Sequence, residues 1–199
     1  MTFDVTTIRT DFPILSREVK GKPLVYLDNG ASAQKPNVVI DAINTAYAHE
    51  YANVHRGLHY LSNVATEKYE GVRGTIARFL GATDENTIVL NSGTTEGINT
   101  VAYGWAMENM GEGDEIILSV MEHHANIVPW HFLRERMGVK LVWVDVDSNG
   151  DLDPQKVLDA ITPRTKLIAI THLSNVLGTV VDLKTICHAA REKGVATLV

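Results

Sequence analysis

The sequence predicts an α/β fold, with a mainly parallel sheet and helices on both faces. Three observations predict it. From about residue 87 onward, short apolar, often β-branched runs alternate with longer stretches of helical spacing. Gly111, Gly138 and Gly194 follow the ends of helical stretches, where a left-handed residue closes a helix. Asp153-Pro154 reads as a cap with proline at the first helical position. Regular strand–helix alternation implies parallel strands joined by crossover helices.

Residues 1–20 read as an N-terminal arm with a short helix near Thr7 to Asp11, stopped by Pro13. Leu24-Val25-Tyr26-Leu27 reads as a strand, and Asp28-Asn29-Gly30-Ala31-Ser32 as a polar turn. Lys35-Pro36 opens a helix through about Tyr51. Residues 52–61 form a polar loop holding Asn53, His55, Arg56, Gly57 and His59. A second helix is expected from about Ser62 to Leu80, ending at Gly81. Strands follow over 87–90, 115–119, 139–145, 166–171 and 195–199, with helices over about 95–109, 126–137, 153–161 and 182–193. Domain extents are 1–20 for the arm and 21–199 for one α/β unit. No internal repeat or low-complexity tract interrupts the pattern.

At 199 residues, 45% apolar and 21% charged, the composition is that of an ordinary soluble globular protein. The net charge of -6, with no basic block, argues against nucleic acid as a partner. No apolar run reaches membrane-spanning length, and Met1-Thr2-Phe3-Asp4-Val5 lacks the features of a signal peptide. The single Cys187 has no partner for an internal disulfide. Together these features lead us to expect a cytoplasmic protein.

In a parallel sheet the strand C-terminal ends share one edge, where ligands bind. The loops leaving that edge are Asn91–Thr95, Val120–Asn126 and Thr171–Gly178. The first is the chain's organising stretch. Gly93-Thr94-Thr95 follows the strand-like Asn86–Leu90, and apolar Ile98, Val101, Ala102, Trp105 and Ala106 stand at helical spacing after it. A helix start with free N–H groups and threonine hydroxyls suits a phosphate, although Thr94 as a simple cap is the commoner use of such a residue.

In the second loop, Glu122-His123-His124-Ala125-Asn126, a histidine stacks on a flat cofactor or moves protons, or ligates a metal with His131. Alternatively Asn126 caps a helix from Ile127 while the histidines satisfy loop backbone groups. Adjacent histidines diverge, and no His-Glu-x-x-His pattern is present, so metal is the weakest of these readings. His55 and Arg56 are available to an anion or substrate, or only pack their loop. Cys187 lies in a helical pattern, and Asp182 most simply caps that helix. The sequence holds no Walker-type loop, Gly-x-Gly-x-x-Gly or Gly-x-Ser-x-Gly, so nucleotide and serine-hydrolase chemistry lack their usual marks.

Taken together, five stretches resemble the class V pyridoxal-phosphate enzymes, and among them the SufS-type (group II) cysteine desulfurases. The stretches are Tyr26–Pro36, Asn53–Gly57, Gly93–Glu96, Met121–Trp130 and His172–Gly178. The resemblance covers nearly the whole chain, and the His-His-Ala-Asn-Ile-Val-Pro-Trp run is its specific part. It implies a truncated fold-type I large domain and pyridoxal 5'-phosphate as cofactor. Thr94 and Thr95 match residues that hold the cofactor phosphate, and His123 the imidazole over its ring. Asn175 resembles the amide that contacts the cofactor's phenolic oxygen or the substrate carboxylate. Ala31, His55, Arg56 and Glu96 match positions lining the pocket or the subunit interface. Ser92 departs from the family, which often has a basic residue there.

The resemblance also implies that such a protein continues for roughly as long again. The aspartate that pairs with the pyridine nitrogen, the lysine that carries the cofactor, the persulfide cysteine and the substrate-clamping arginine would all follow Val199. Neither Lys184 nor Cys187 stands at a matching place. The expectation is an N-terminal portion, inactive alone, of a homodimeric enzyme. That enzyme would convert L-cysteine to L-alanine and pass sulfur to an acceptor protein for iron–sulfur cluster assembly. Selenocysteine lyases, kynureninase-like hydrolases and a non-catalytic truncated product remain the alternatives.

Overall fold

The computed structural model describes residues 3–199; Met1 and Thr2, the start of the expected arm, lie outside them. The chain forms two compact units, Met1–Val89 and Leu90–Val199. No helix among the described residues is long and apolar enough to cross a membrane.

In the first unit, α1 (Val5–Thr10) starts where the Asp4 carboxylate accepts from the Thr6 N–H at 3.0 Å and the Thr7 hydroxyl at 2.6 Å. A 3-10 turn at Pro13–Ser16 follows. Then β1 (Glu18–Val19) and β2 (Lys22–Pro23) pair as a small antiparallel hairpin around Lys20 and Gly21, both at positive φ. The strand expected over Leu24–Leu27 does not form. Pairing ends where the Leu24 N–H donates to Arg17 O at 2.9 Å, and Val25 and Leu27 are exposed. A short apolar run becomes a strand only when a neighbour supplies the ladder.

α2 (Asn37–Thr45) begins after Pro36 and continues as a π-helical turn, Ala46–Glu50. α3 (Tyr60–Leu80) is capped by His59 and ends at Gly81, whose φ of +72° is open to glycine. The strand expected over 87–90 is also absent. Glu85–Thr87 is instead a 3-10 turn wound around Asp84, whose carboxylate takes the Asn86 N–H and whose carbonyl takes the Thr87 hydroxyl. Local polar side chains outcompete a ladder that has no partner.

The second unit carries the sheet. α4 (Thr94–Thr100), a π-helical turn (Val101–Ala106) and α5 (Met107–Asn109) form one continuous helical segment. Then come β3 (Glu115–Ser119), α6 (Val128–Met137), β4 (Lys140–Val144), α7 (Pro154–Asp159), β5 (Thr165–Ala169), α8 (Leu183–Glu192) and β6 (Ala196–Leu198). The strands lie in the order β4-β3-β5-β6, and every pairing is parallel.

Strand alternation sends successive residues to opposite faces. Ile116, Leu118, Leu167 and Ala169 meet Ile98, Ala102 and Ala106 of the first helical segment and Trp130 and Leu133 of α6. Ile117 and Ile168 meet Val157 of α7 and Ile186 and Ala190 of α8. Both faces are thus covered, as the strand–helix alternation required. Asp182 starts α8 as expected, accepting from the Thr185 hydroxyl at 2.7 Å.

Candidate functional site

β3 and β5 are parallel neighbours, so the segments leaving them emerge at one edge of the sheet. α4 packs against the turn His124–Asn126 that follows β3. The Gly-Thr-Thr start and the histidine loop are therefore neighbours within one unit.

At that start, Gly93 has φ +141°, a conformation L side chains rarely adopt, and its N–H donates to Asn91 Oδ1 at 2.9 Å. Glu96 folds back over the turn. Its Oε2 accepts from the Ser92 N–H at 2.7 Å and from the Ser92 hydroxyl. The Ser92 hydroxyl first, and its N–H second, hold the Glu96 carboxyl below the usual glutamate range. No side chain caps the helix, so the N–H groups of Thr94 and Thr95 face out with their exposed hydroxyls. The nearby Glu96 charge offsets part of the helix-terminal field. An anion placed here would meet hydrogen-bond donors more than net positive charge.

His123 is exposed and extended, φ −68° and ψ 147°. Its Nδ1 accepts the Ala125 N–H at 3.1 Å, which assigns the proton of the neutral ring to Nε2. The ring's other nitrogen, Nε2, is thus the one left to donate. His124 stands beside it, ring centroids 6.2 Å apart and tilted by 59°.

A buried polar network fixes this loop. Glu122, Asn126, Ser119 and Trp130 are all buried, the last two completely. Glu122 Oε1 accepts from the Ser119 hydroxyl at 2.5 Å, and both its oxygens lie 3.1 Å from the Thr171 N–H. Asn126 donates to Glu122 Oε2 at 2.8 Å and to Ala169 O at 3.1 Å, and its Oδ1 accepts from Trp130 Nε1 at 2.9 Å. Asn126 therefore braces the core instead of capping a helix from Ile127, because α6 begins at Val128 with Pro129 in its first turn. Sequence reading passed over Glu122, Ser119 and Trp130. Glu122, Asn126 and Trp130 recur every four residues, but that spacing does not by itself mark Glu122 as buried.

Beyond β5, Ser174 N–H donates to Thr179 O and Gly178 N–H to Ser174 O, both at 3.0 Å, closing a turn in which Gly178 has φ +75°. Ser174 Oγ accepts from the Val176 and Leu177 N–H groups. Asn175 is exposed at the tip of this turn. Thr94, Thr95, Glu96, His123 and Asn175 thus all belong to the second unit.

Ala31, His55 and Arg56 belong to the first unit. Ala31 lies in a turn where its N–H donates to Asp28 O at 3.2 Å. His55 and Arg56 both take left-handed backbone, φ +60° and +51°, unusual for residues bearing a Cβ. His55 is tied to α3: its N–H donates to Thr66 Oγ1 at 2.8 Å, and Nε2 lies 2.6 Å from Glu70 Oε1. Its ring meets Tyr69 edge-on at 5.7 Å. His59, in the same loop, caps α3. Arg56 is left exposed.

The donor set suits a flat, phosphorylated ring: two N–H groups and two hydroxyls at one end, and an imidazole and a free amide on adjoining loops. The aminotransferase class-V family model matches residues 25–199. Cysteine desulfurases of Salmonella typhimurium and Salmonella typhi are 52% identical over the whole chain. The chain spans about half the length of these relatives, 49%. The cysteine desulfurase CsdA of Escherichia coli superposes with a TM-score of 0.82 at 36% identity, over 99% of this chain and 48% of that one. The apo cysteine desulfurase of Thermococcus onnurineus gives 0.89 at 33% identity, over 99% of this chain and 47% of its own.

Proposed function

The chain belongs to the class-V aminotransferase family, and from that premise we propose that it is the N-terminal part of a pyridoxal-phosphate-dependent cysteine desulfurase. The whole enzyme takes the sulfur of L-cysteine onto a cysteine thiolate, leaving L-alanine and an enzyme persulfide. A sulfur-acceptor protein of iron–sulfur cluster assembly then receives that sulfur, and the enzyme works as a homodimer in the cytoplasm. Residues 1–20 are its arm and 21–199 part of its cofactor-binding large domain.

The observation that carries this reading is the uncapped Gly93-Thr94-Thr95 helix start, on a helix packed against the histidine turn. Thr94 and Thr95 hold the phosphate through N–H and hydroxyl donors. His123 covers the ring and exchanges a proton at Nε2. Asn175 hydrogen-bonds the phenolic oxygen or the substrate carboxylate. Ala31, His55, Arg56 and Glu96 line the pocket or the subunit interface. When bound, pyridoxal phosphate supplies the electron sink that such chemistry requires.

The test compares pyridoxine 5'-phosphate with pyridoxine, neither of which reacts with lysines. In the 199-residue chain the phosphate form is expected to bind more tightly. Thr95→Ala should reduce that preference by about tenfold, the loss of one charge-assisted hydrogen bond. An unchanged ratio would remove Thr95 from the phosphate site.

A further inference from the structure

Glu122 is a buried carboxylate one residue before the exposed His123, and it touches both segments that leave the two central strands. Ser119 ends β3, and Thr171 follows β5 and opens the loop to Asn175. The Glu122 carboxylate accepts from both. We propose that Glu122 is a positioning residue for the ring-binding end of the site: its carboxylate locks the exits of β3 and β5 together, so that His123 and the Asn175 loop present one fixed surface. The inference rests on the cofactor reading above for the identity of the ring.

Hydrogen-bond direction makes the lock specific. In all of its contacts here the Glu122 carboxylate accepts. That forces Asn126 to turn its NH2 toward Glu122, where it also reaches Ala169 O, and its carbonyl toward the Trp130 N–H. Trp130 can only donate. Every polarity in the chain from Thr171 to Trp130 is therefore set by two ends that cannot reverse.

Glu122→Gln keeps the shape but must place one NH2: facing Asn126 it clashes with that residue's NH2, and facing Ser119 it costs the bond that the Ser119 hydroxyl donates. If Asn126 flips to relieve this clash, its NH2 meets the Trp130 N–H and Ala169 O loses its donor. The double variant Glu122→Gln/Asn126→Asp restores the direction: the new amide donates to the new carboxylate, which still accepts from Trp130. The bond to Ala169 O is lost, and Thr171 keeps only one of its two acceptor oxygens.

The experiment measures affinity for pyridoxine and its 5'-phosphate, together with the resonances of the Thr171 amide, the Trp130 indole N–H and the His123 ring. Glu122→Gln is expected to weaken both ligands by about tenfold with their ratio unchanged, because the phosphate end is untouched. Binding stoichiometry per folded molecule should hold, whereas a merely structural defect would lower stoichiometry and spare affinity. The double variant should return to within about threefold of the original. Unchanged affinity in Glu122→Gln, or no recovery in the double variant, would overturn the proposal. If the unaltered chain binds neither ligand, the cofactor reading fails. The lock is then judged by the resonances alone, and stands only if Glu122→Gln moves all three and the double variant restores them.

Discussion

Asn126→Ala tests how much the buried network contributes to the fold. The truncation removes bonds of 2.8 Å to Glu122, 3.1 Å to Ala169 O and 2.9 Å from Trp130 Nε1. Ala169 and Trp130 are fully buried, so their freed carbonyl and N–H have no solvent to turn to. Each orphaned group costs about 1–3 kcal/mol. Glu122 loses least, because Ser119 and Thr171 still donate to it. The expected loss is about 3–5 kcal/mol, lower if a water enters the vacated space, against a typical total of about 5–15 kcal/mol. Urea unfolding followed by far-ultraviolet circular dichroism reads it as a shifted midpoint at constant slope.

Asn126→Asp sharpens the test. At neutral pH it sets two carboxylates together, which raises the folded-state value of the new group above its unfolded one. The folded protein then binds the extra proton more tightly, so this variant must regain stability as pH falls through that raised value. A loss below about 1 kcal/mol in Asn126→Ala, or no acid recovery in Asn126→Asp, refutes the reasoning.

The Ser92–Glu96 contact gives a second pH dependence, of the opposite sign. A depressed folded-state carboxyl contributes stability that is full above the ordinary glutamate value and lost as pH falls through the lowered one. Glu96→Gln should therefore melt below the unaltered chain at neutral pH, with the gap closing in acid; a gap that widens on acidification contradicts the contact. The two helix-closing glycines should separate. At Gly81, φ +72° with open space around a new Cβ, alanine should cost about 1 kcal/mol. At Gly138 the same φ is joined by Glu112 Cγ only 2.9 Å from the new Cβ, so alanine there should cost clearly more in the same urea assay. Equal costs would mean that Glu112 moves aside freely.

The α/β alternation was legible because β3 and β5 are largely buried apolar runs and the helices between the strands are bounded by caps such as Asp153, Asp182 and Gly138. Leu24–Leu27 and the residues before Leu90 carry the same local signal without a partner strand, and pairing is not a local property. Glu18–Val19 and Lys22–Pro23 pair over too few residues to show alternation at all. The π-helical turns after α2 and α4 leave the apolar spacing nearly unchanged, so periodicity could not reveal them. At the site, the open threonines were readable because a helix start exposes what stands there. Glu122 was not, since a lone glutamate in sequence reads as surface until Thr171, 49 positions away, is seen to donate to it.

The seating of Trp130 makes the molecule its own indicator. The chain has 3 tryptophans, of which Trp105 and Trp143 are 37% and 39% exposed while Trp130 is wholly enclosed. Iodide dissolved in the buffer can darken the first two and cannot reach the third. The fluorescence that survives quenching, blue-shifted by its dry surroundings, counts the molecules whose strand exits are latched.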